Sequence, residues 1–480
     1  LGVGRKDDTN TKGFEAMLDY KVKIALAPVR RWLPGKRPGI FNPEYALKNK
    51  KKIIEYLRRN FSGSEVELVD LDFLNEEGMM YDISQAETIA AKLNAANVDG
   101  MFIINCNFGC EEVAGKVAQL VKKPTLIWAP RDTIIEADGT RYTDAQCGFF
   151  AMSRQLQRYG IPFSHIENCN VDDVVFQNGF QDFLAVICMV KNFHSLRIAQ
   201  VGLRPKPFNS VMINEAELME KFGIEIVPIN MAVVIDKMKQ ILSEKSGQLA
   251  QDVAAVKELI DVGDVPDQTL TKMMAFKYLY REIAKENNCR MIATECWTAM
   301  MAAFDAMPCV AMSLLGDERF YVTCESDIYG AISMALLSCA TRGKSHPIFG
   351  EFTMRHPQNE NAELLWHCGP FPYSTKNPRV KASLYNARPS WEVKPGPYTI
   401  ARFELDRGQA YLLAGECQAV EGPYTFGTYL WAEFDDYTKW ERRLIEGPYI
   451  HHVAEIEGRY SRVLKEFCKY VPGLKFDSPD

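Results

Sequence analysis

Two short acidic stretches are the first sign of chemistry in this chain. In VTCESDIYGAISMAL, Val322 to Leu336, and in IATECW, Ile292 to Trp297, carboxylates stand where an apolar, strand-like run gives way to a helical one. In an open α/β sheet that point is the carboxyl end of a strand, where side chains face a crevice and ligands bind. Glu295 and Asp327 are the candidate catalytic carboxylates, with Glu325 beside them. Carboxylates gathered in one crevice need a partner, which a metal ion, a shared proton or a basic side chain can supply. GPYIHHVAEIEG, late in the chain, offers an imidazole from His451 or His452. Two carboxylates and an imidazole make an oxygen-rich site with one nitrogen, suited to Mn²⁺ or Mg²⁺ in preference to zinc. Taken singly, each carboxylate could instead cap the next helix, a role that Asp327 before IYGAISMALL fits well.

Other candidates follow the same logic. VRRWLPGKRPG, with Arg30 and Arg31, comes directly after the first strand and supplies cations with little acid nearby. It is either a solvated loop or a clamp for an anion or a polyhydroxyl compound, since Arg presents a fork of donors. Asn107, in NCNFGCEE after the third strand, is a candidate substrate contact. The cysteines of that motif read as buried thiols, because no Cys-His-Asn arrangement can be assigned from spacing. Trp297 lies beside a proposed crevice, as do Trp128 and Trp366, and could stack on a sugar ring or simply pack in the core. His367 sits in WHCGPFP. Neither GxGxxG nor GxxxxGK[ST] follows any of the strands, which removes the usual nucleotide-binding reading.

The elements that must position these residues are regular. From Lys23, the runs VKIALAPV, VELVD, GMFIINC and PTLIWAP read as buried parallel strands. Helical periodicity fills the gaps at Glu44 to Asn60, Ser84 to Ala96 and Glu111 to Leu120. That is repeated βαβ, and predicts a first doubly wound, Rossmann-like domain over 1–173. A helix over Val174 to Phe193 opens a second α/β domain, 174–342, with strands at RIAQVGL, IEIVPI and RMIAT and mostly helices from Met231 to Asn288. This domain carries both acidic stretches. After Gly343 the pattern changes to strand-like runs without intervening helices: IFGEFTM, AELLWHC, YTIARFEL, QAYLLAGE and TYLWAEF. An antiparallel sheet or small barrel over 343–480 is expected, closed by a helix near Tyr460 to Tyr470.

Composition bounds the rest. At 480 residues the chain exceeds one core, and 47% hydrophobic with 25% charged residues is ordinary for a globular protein. A net charge of -6 offers no dedicated nucleic-acid surface. No apolar run approaches the roughly 20 residues that cross a bilayer, and the first residues are too polar for a signal peptide. The 13 cysteines, scattered through apolar segments, fit buried thiols of a reducing compartment. The expectation is therefore a cytoplasmic protein acting on a small molecule, with no nucleic-acid or membrane partner.

Two α/β domains, an acidic segment closing the second and a strand-rich third domain carrying histidine resemble the L-fucose isomerase and L-arabinose isomerase superfamily. CESDIYGA resembles the segment with the family's metal-binding aspartate, TECW the one with its glutamate, and IHHV the third-ligand segment. The resemblance thus implies Glu295, Asp327 and His451 as metal ligands, and His367 as a substrate contact or additional ligand. It further implies a divalent cation, usually Mn²⁺ with Mg²⁺ or Co²⁺ as alternatives, and aldose–ketose interconversion through an enediol with Glu295 and Asp327 as acid and base. Arg31, Asn107 and Trp297 would join His367 on the sugar, which the cationic loop allows to be anionic. Family members form hexamers or similar closed assemblies, so a homo-oligomer is implied. A non-enzymatic sugar binder, or another metal-assisted sugar enzyme such as an epimerase or aldolase, would share the same outline.

Overall fold

The structure, a computed structural model, describes residues 18–31, 41–132 and 135–479. Trp32 to Arg37 of the cationic loop lie outside the described residues; Arg30 and Arg31 lie within them.

The first sheet contains β1 (Val22–Val29), β2 (Val66–Val69), β3 (Gly100–Asn105), β4 (Thr125–Trp128) and β5 (Ser164–His165). They run parallel in the order β2-β1-β3-β4-β5. The winding therefore reverses between β1 and β3, which leaves a crevice at their carboxyl ends. Every residue of β3 and β4 is buried, because helices cover both faces; this is why they read as unbroken apolar runs.

A second parallel sheet, in the order β7-β6-β8-β9, contains β6 (Arg197–Val201), β7 (Glu225–Ile229), β8 (Met291–Thr294) and β9 (Val322–Thr323). Three helices, Met231–Glu244, Ser246–Leu259 and Asp267–Asn287, fill the connection from β7 to β8. After β9 comes the helix Ile328–Ala340, in which every residue is buried. A helix apolar on all sides belongs in an interior. This one packs against Val174–Phe193 on one side and the third domain on the other.

That domain holds β10 (Ile348–Arg355), β11 (Ala362–His367), β12 (Ser383–Tyr385), β13 (Arg388–Glu392), β14 (Gly396–Asp406), β15 (Gln409–Val420), β16 (Thr428–Glu433), β17 (His452–Glu457) and β18 (Leu474–Asp477). Six of them close an antiparallel barrel, β16-β11-β10-β17-β14-β15 and back to β16. The expected fold class is thus what the chain adopts, with the barrel as the form of its third domain. Alternation sorts the strand residues. Ile348, Leu365, Ile400, Leu413 and Val453 fill the barrel, whereas Phe349, Ala401, Phe403, Ala454 and Ile456 join the core around Ile328–Ala340. One correction concerns the absence of helices between the late strands. Tyr437–Glu446 is helical, capped by the Asp436 side chain on the Thr438 N–H and anchored by buried Tyr437 and Trp440. The closing helix spans Ser461–Cys468. Among the described residues no helix is long and apolar enough to cross a membrane.

Candidate active site

The site starts from a tight turn after β9. Glu325 and Ser326 both take left-handed backbone conformations, with φ of 62° and 56°. For residues other than glycine such conformations cost on the order of 1 kcal/mol or more each, and they persist where surrounding structure imposes them. Here the Ser326 N–H donates to the Thr294 carbonyl at 3.0 Å and its hydroxyl to the Leu203 carbonyl at 3.2 Å. The turn is thereby tied to the ends of β8 and β6, and Glu325 is left at the edge of the crevice.

Asp327 follows and is fully enclosed. Its Oδ1 caps the buried helix by accepting the Gly330 N–H at 2.8 Å. Its Oδ2 accepts from Arg402 at 2.5 Å and from His452 Nδ1 at 3.0 Å. Burial pushes this carboxyl up, but Arg402 and then His452 outweigh it and hold it well below the usual carboxylate range. Gly330 must lack a side chain, since a Cβ there would stand 2.4 Å from the Phe349 ring. Arg402, itself fully buried, also donates to Glu404 at 3.1 Å.

With Nδ1 of His452 occupied by Asp327, its Nε2 is the free nitrogen. Around it stand Glu325 Oε2 at 3.2 Å and Glu351 Oε2 at 3.7 Å. Glu351 is delivered by the barrel: on β10 it lies directly across from His452 on β17. His367 arrives at the end of the neighbouring β11, and one ligand atom each of Glu325, His367 and His452 lies within 4.8 Å of the others. Glu325 Oε2, His367 Nε2 and His452 Nε2 are all buried without a hydrogen-bond partner. The 3.2 Å approach of Glu325 to His452 therefore lacks hydrogen-bond alignment. Orphaned buried polar atoms cost about 1 to 3 kcal/mol each, and three together ask for a ligand.

Electrostatics agree. Burial opposes protonation of His452, yet Asp327 and Glu325 raise its pKa. His367 is likewise held up to about 10, against burial, by Cys368, Glu325 and Glu351. The Glu351 carboxyl is pushed up by burial. Arg402 is shared by Asp327 and Glu404, and the carboxylates of Glu325 and Glu351 face the open nitrogen of His452, where a divalent cation would meet both. Two oxygen and two imidazole donors suit Mn²⁺ and its neighbours, and the Asp327–His452 pair provides the outer contact that orients a ligating imidazole. The donor set therefore fits the implied cation. His367 can take part through its other tautomer: Cys368 N–H donates to Nδ1 at 2.9 Å, while with Nε2 occupied an Nδ1–H would face Cys368 Sγ at 3.3 Å.

The remaining sequence-derived candidates fall in four places. Glu295 is not part of this cluster: its Oε2 accepts the Leu203 N–H at 2.9 Å, and its Oε1 accepts from the Thr298 hydroxyl at 2.5 Å. Both oxygens are engaged in holding the loop after β8 against β6. His451 is part-exposed, 3.5 Å from Glu351, and burial lowers its pKa to about 4. Trp297 does border the site, donating from Nε1 to Glu325 Oε1 at 3.0 Å and packing on Phe208. Trp297→Phe removes that bond but keeps the ring. A bond to a charged acceptor contributes about 1.5 to 3 kcal/mol, so kcat/KM is expected to fall roughly tenfold or more, read by steady-state kinetics. Arg31 and Asn107 sit together at the β1/β3 crevice of the first domain. Asn107 Oδ1 accepts the Arg31 N–H at 2.8 Å, and its Nδ2 is buried without a partner. Arg31 pairs with Glu111 at 2.8 Å and Arg30 with Glu77 at 2.6 Å. No described contact joins this pair to the carboxylate–imidazole cluster.

Glu351 and Arg402 were not legible as site residues from sequence. The available signal was a charge inside an otherwise apolar strand run, in IFGEFTM and in YTIARFEL.

Comparison with known proteins agrees with this architecture. Residues 33–194 match the family model for the fucose/sulfoquinovose isomerase N-terminal domain. A sulfoquinovose isomerase of Priestia aryabhattai is 22% identical over 395 residues, covering 80% of this chain and 84% of that protein. Another, of Alkalicoccus urumqiensis, is 27% identical over 251 residues, 52% of this chain and 55% of that protein. A third, of Clostridium sp. (strain MSTE9), is 23% identical over 270 residues, 56% of this chain and 59% of that protein. Fold and relatives together define the class, an aldose–ketose isomerase. The chain is thus remotely similar to fucose isomerase-like proteins, in agreement with the resemblance carried by its motifs.

Proposed function

We propose that the protein is a divalent-metal-dependent isomerase of an anionic aldose, with Glu325, Glu351, His367 and His452 holding the metal. The observation that carries this reading is the convergence of buried, unpartnered ligand atoms on Glu325, His367 and His452, with Glu351 beside them. Mn²⁺ is the cation we expect, with Mg²⁺ or Co²⁺ as substitutes. When bound, such a cation acts as a Lewis acid on a carbonyl.

The chain's own residues supply the remaining work. Glu325 and Glu351, on either side of His452 Nε2, would pass a proton between C1 and C2 of the open-chain sugar through an enediol. Trp297 would fix Glu325 by its N–H and offer an apolar edge beside the sugar. Asp327 acts through His452, and Glu295 through the loop that carries Trp297. In this reading Glu295 and Asp327 act through neighbouring groups and not as ligands, while His451, whose ligand atom lies within 4.8 Å of those of Glu351 and His452, remains a further candidate ligand.

The named relatives act on sulfoquinovose, a sulfonated sugar, which motivates an anionic substrate here. The unpartnered Asn107 amide and Arg31, whose guanidinium is also held by Glu111, are donors at the β1/β3 crevice that could meet an anionic group. They can serve the same sugar only where the two clusters meet, within the chain or across subunits, so a homo-oligomer accompanies this reading. Light scattering tests it: a hexamer or similar closed assembly is expected, and a monomer with full activity would sink the shared-site part. The free cysteines are in keeping with a reducing, cytoplasmic compartment.

The deciding experiment is metal analysis of purified protein, then assay of metal-stripped protein against neutral and sulfonated aldoses with and without Mn²⁺. Chelation is expected to abolish ketose formation and Mn²⁺ to restore it, with the sulfonated sugar preferred. Full turnover in chelated, metal-free protein would overturn the metal assignment. Bound metal without ketose from any sugar would overturn the isomerase reading.

A further inference from the structure

The residues that build the carboxylate–imidazole cluster are adjacent in sequence to thiols. Cys324 precedes Glu325, and Cys368 follows His367. One ligand atom each of Cys324, His367 and Cys368 lies within 4.8 Å of the others. A third thiol, Cys309, opens the helix Cys309–Asp317 and places its Sγ 3.9 Å from that of Cys368. Cys309 and Cys324 are fully buried and Cys368 is partly exposed, so the group is enclosed but reachable from one side. Cys309 and Cys324 have no part in the isomerase reading, and Cys368 only faces His367 Nδ1 there.

The spacing suits one kind of ligand. A tetrahedral ion with metal–sulfur bonds of about 2.3 Å holds its sulfurs about 3.8 Å apart. Cys309 and Cys368 already stand at that separation. Three sulfurs and one imidazole nitrogen form a soft donor set, which selects thiophilic ions over the hard cations that carboxylates favour. His367 is common to both groups. Its Nδ1 lies 3.3 Å from Cys368 Sγ and accepts the Cys368 N–H at 2.9 Å, a bond that an ion on Nδ1 would replace, whereas its Nε2 is the unpartnered atom of the carboxylate cluster.

We propose that Cys309, Cys324, Cys368 and His367 Nδ1 form a second cation site, specific for a soft divalent ion such as Zn²⁺ or Cd²⁺, that competes with the carboxylate site for His367. Binding is ligation without redox chemistry: each thiol releases its proton to solvent as its sulfur bonds the ion. An ion on Nδ1 leaves the proton of the neutral ring on Nε2. His367 then has no lone pair for the carboxylate site, so a thiophilic ion lowers that site's affinity for its own cation. The existence of the thiol site is independent of the isomerase reading; only the competition rests on it.

The test is titration of metal-stripped Cys147→Ser protein, which lacks the exposed thiol, with Cd²⁺, followed by the ultraviolet thiolate-to-cadmium charge-transfer band. One equivalent is expected to saturate the band. C324S and C368S should each diminish it and together abolish it, while E325Q and E351Q leave it intact. No band in the parent protein, or an undiminished band in the folded double variant, overturns the proposal. Where the double variant fails to fold, cadmium NMR of the parent decides: a shift in the range of sulfur ligation supports the site, and one typical of oxygen ligands alone overturns it. Electron paramagnetic resonance of free Mn²⁺ reads the competition, with Mn²⁺ affinity expected to fall about tenfold or more in the Cd²⁺-loaded protein. Unchanged Mn²⁺ affinity beside a saturated band removes the competition and leaves the thiol site.

Discussion

Glu325→Gln and Glu351→Gln are each expected to lower kcat/KM by about 10³-fold or more, and to weaken Mn²⁺ binding, with little change in melting temperature. The magnitude combines loss of a charged ligand with loss of a group that moves a proton, an effect of about 10²- to 10⁴-fold by itself. Stability should hold because Gln is the same size and its carbonyl can still accept the Trp297 N–H at position 325. Glu295→Gln makes the informative contrast. That side chain receives N–H or O–H donors on both oxygens, so an amide there must aim its NH₂ at a donor. The expected outcome is a loss of about 1 to 3 kcal/mol in stability and a smaller loss of activity. Urea denaturation and kinetics on the three variants decide between the two carboxylate pairs. Near-normal turnover in Glu325→Gln, or abolished turnover with normal stability in Glu295→Gln, would move the site back to Glu295.

Particular residues show why the fold was easier to read than the site. The α/β domains announce themselves because strands such as β3 are buried along their whole length and leave an uninterrupted apolar run. Barrel closure depends on the pairing of β15 with β16, between residues such as Gln418 and Glu433, and no local pattern encodes a contact of that kind. Within the site, strand parity does not by itself tell His451 from His452. His452 lies in β17 across from Glu351 and packs on Phe349, whereas His451 stands just before the strand, partly exposed with its ring 4.4 Å from that of His452, and only the register with Glu351 fixes which of them is enclosed. Parity is no guide between Glu325 and Asp327 either, since two left-handed residues break the alternation between them. Glu351 was invisible for a related reason: a Glu in an alternating strand is usually the solvent face. Here that face meets another domain.

Asp327→Asn is expected to lower global stability by about 3 to 5 kcal/mol, because it leaves Arg402 buried with half of its countercharge removed. Against a total of about 5 to 15 kcal/mol for a typical domain, that is enough to populate unfolded protein on modest heating. The amide cannot repair the network. Its one oxygen can serve Gly330, Arg402 or His452, and its NH₂ then points at a donor. Metal affinity should fall as well, by about 10- to 100-fold, since His452 loses the contact that sets its tautomer. Pairing the change with Arg402→Met should recover part of the stability but none of the metal affinity, which separates the buried ion pair from the orientation of His452. The pH dependence carries a definite sign. Asp327 has a folded pKa below its unfolded value, so its contribution is complete above the unfolded value of about 4 and is lost as pH falls through the folded one. Wild type and Asp327→Asn should therefore differ most in urea denaturation near neutrality and converge in acid below about pH 4. A constant difference down to strong acid would mean that the side chain acts through shape and hydrogen bonding, not through its charge.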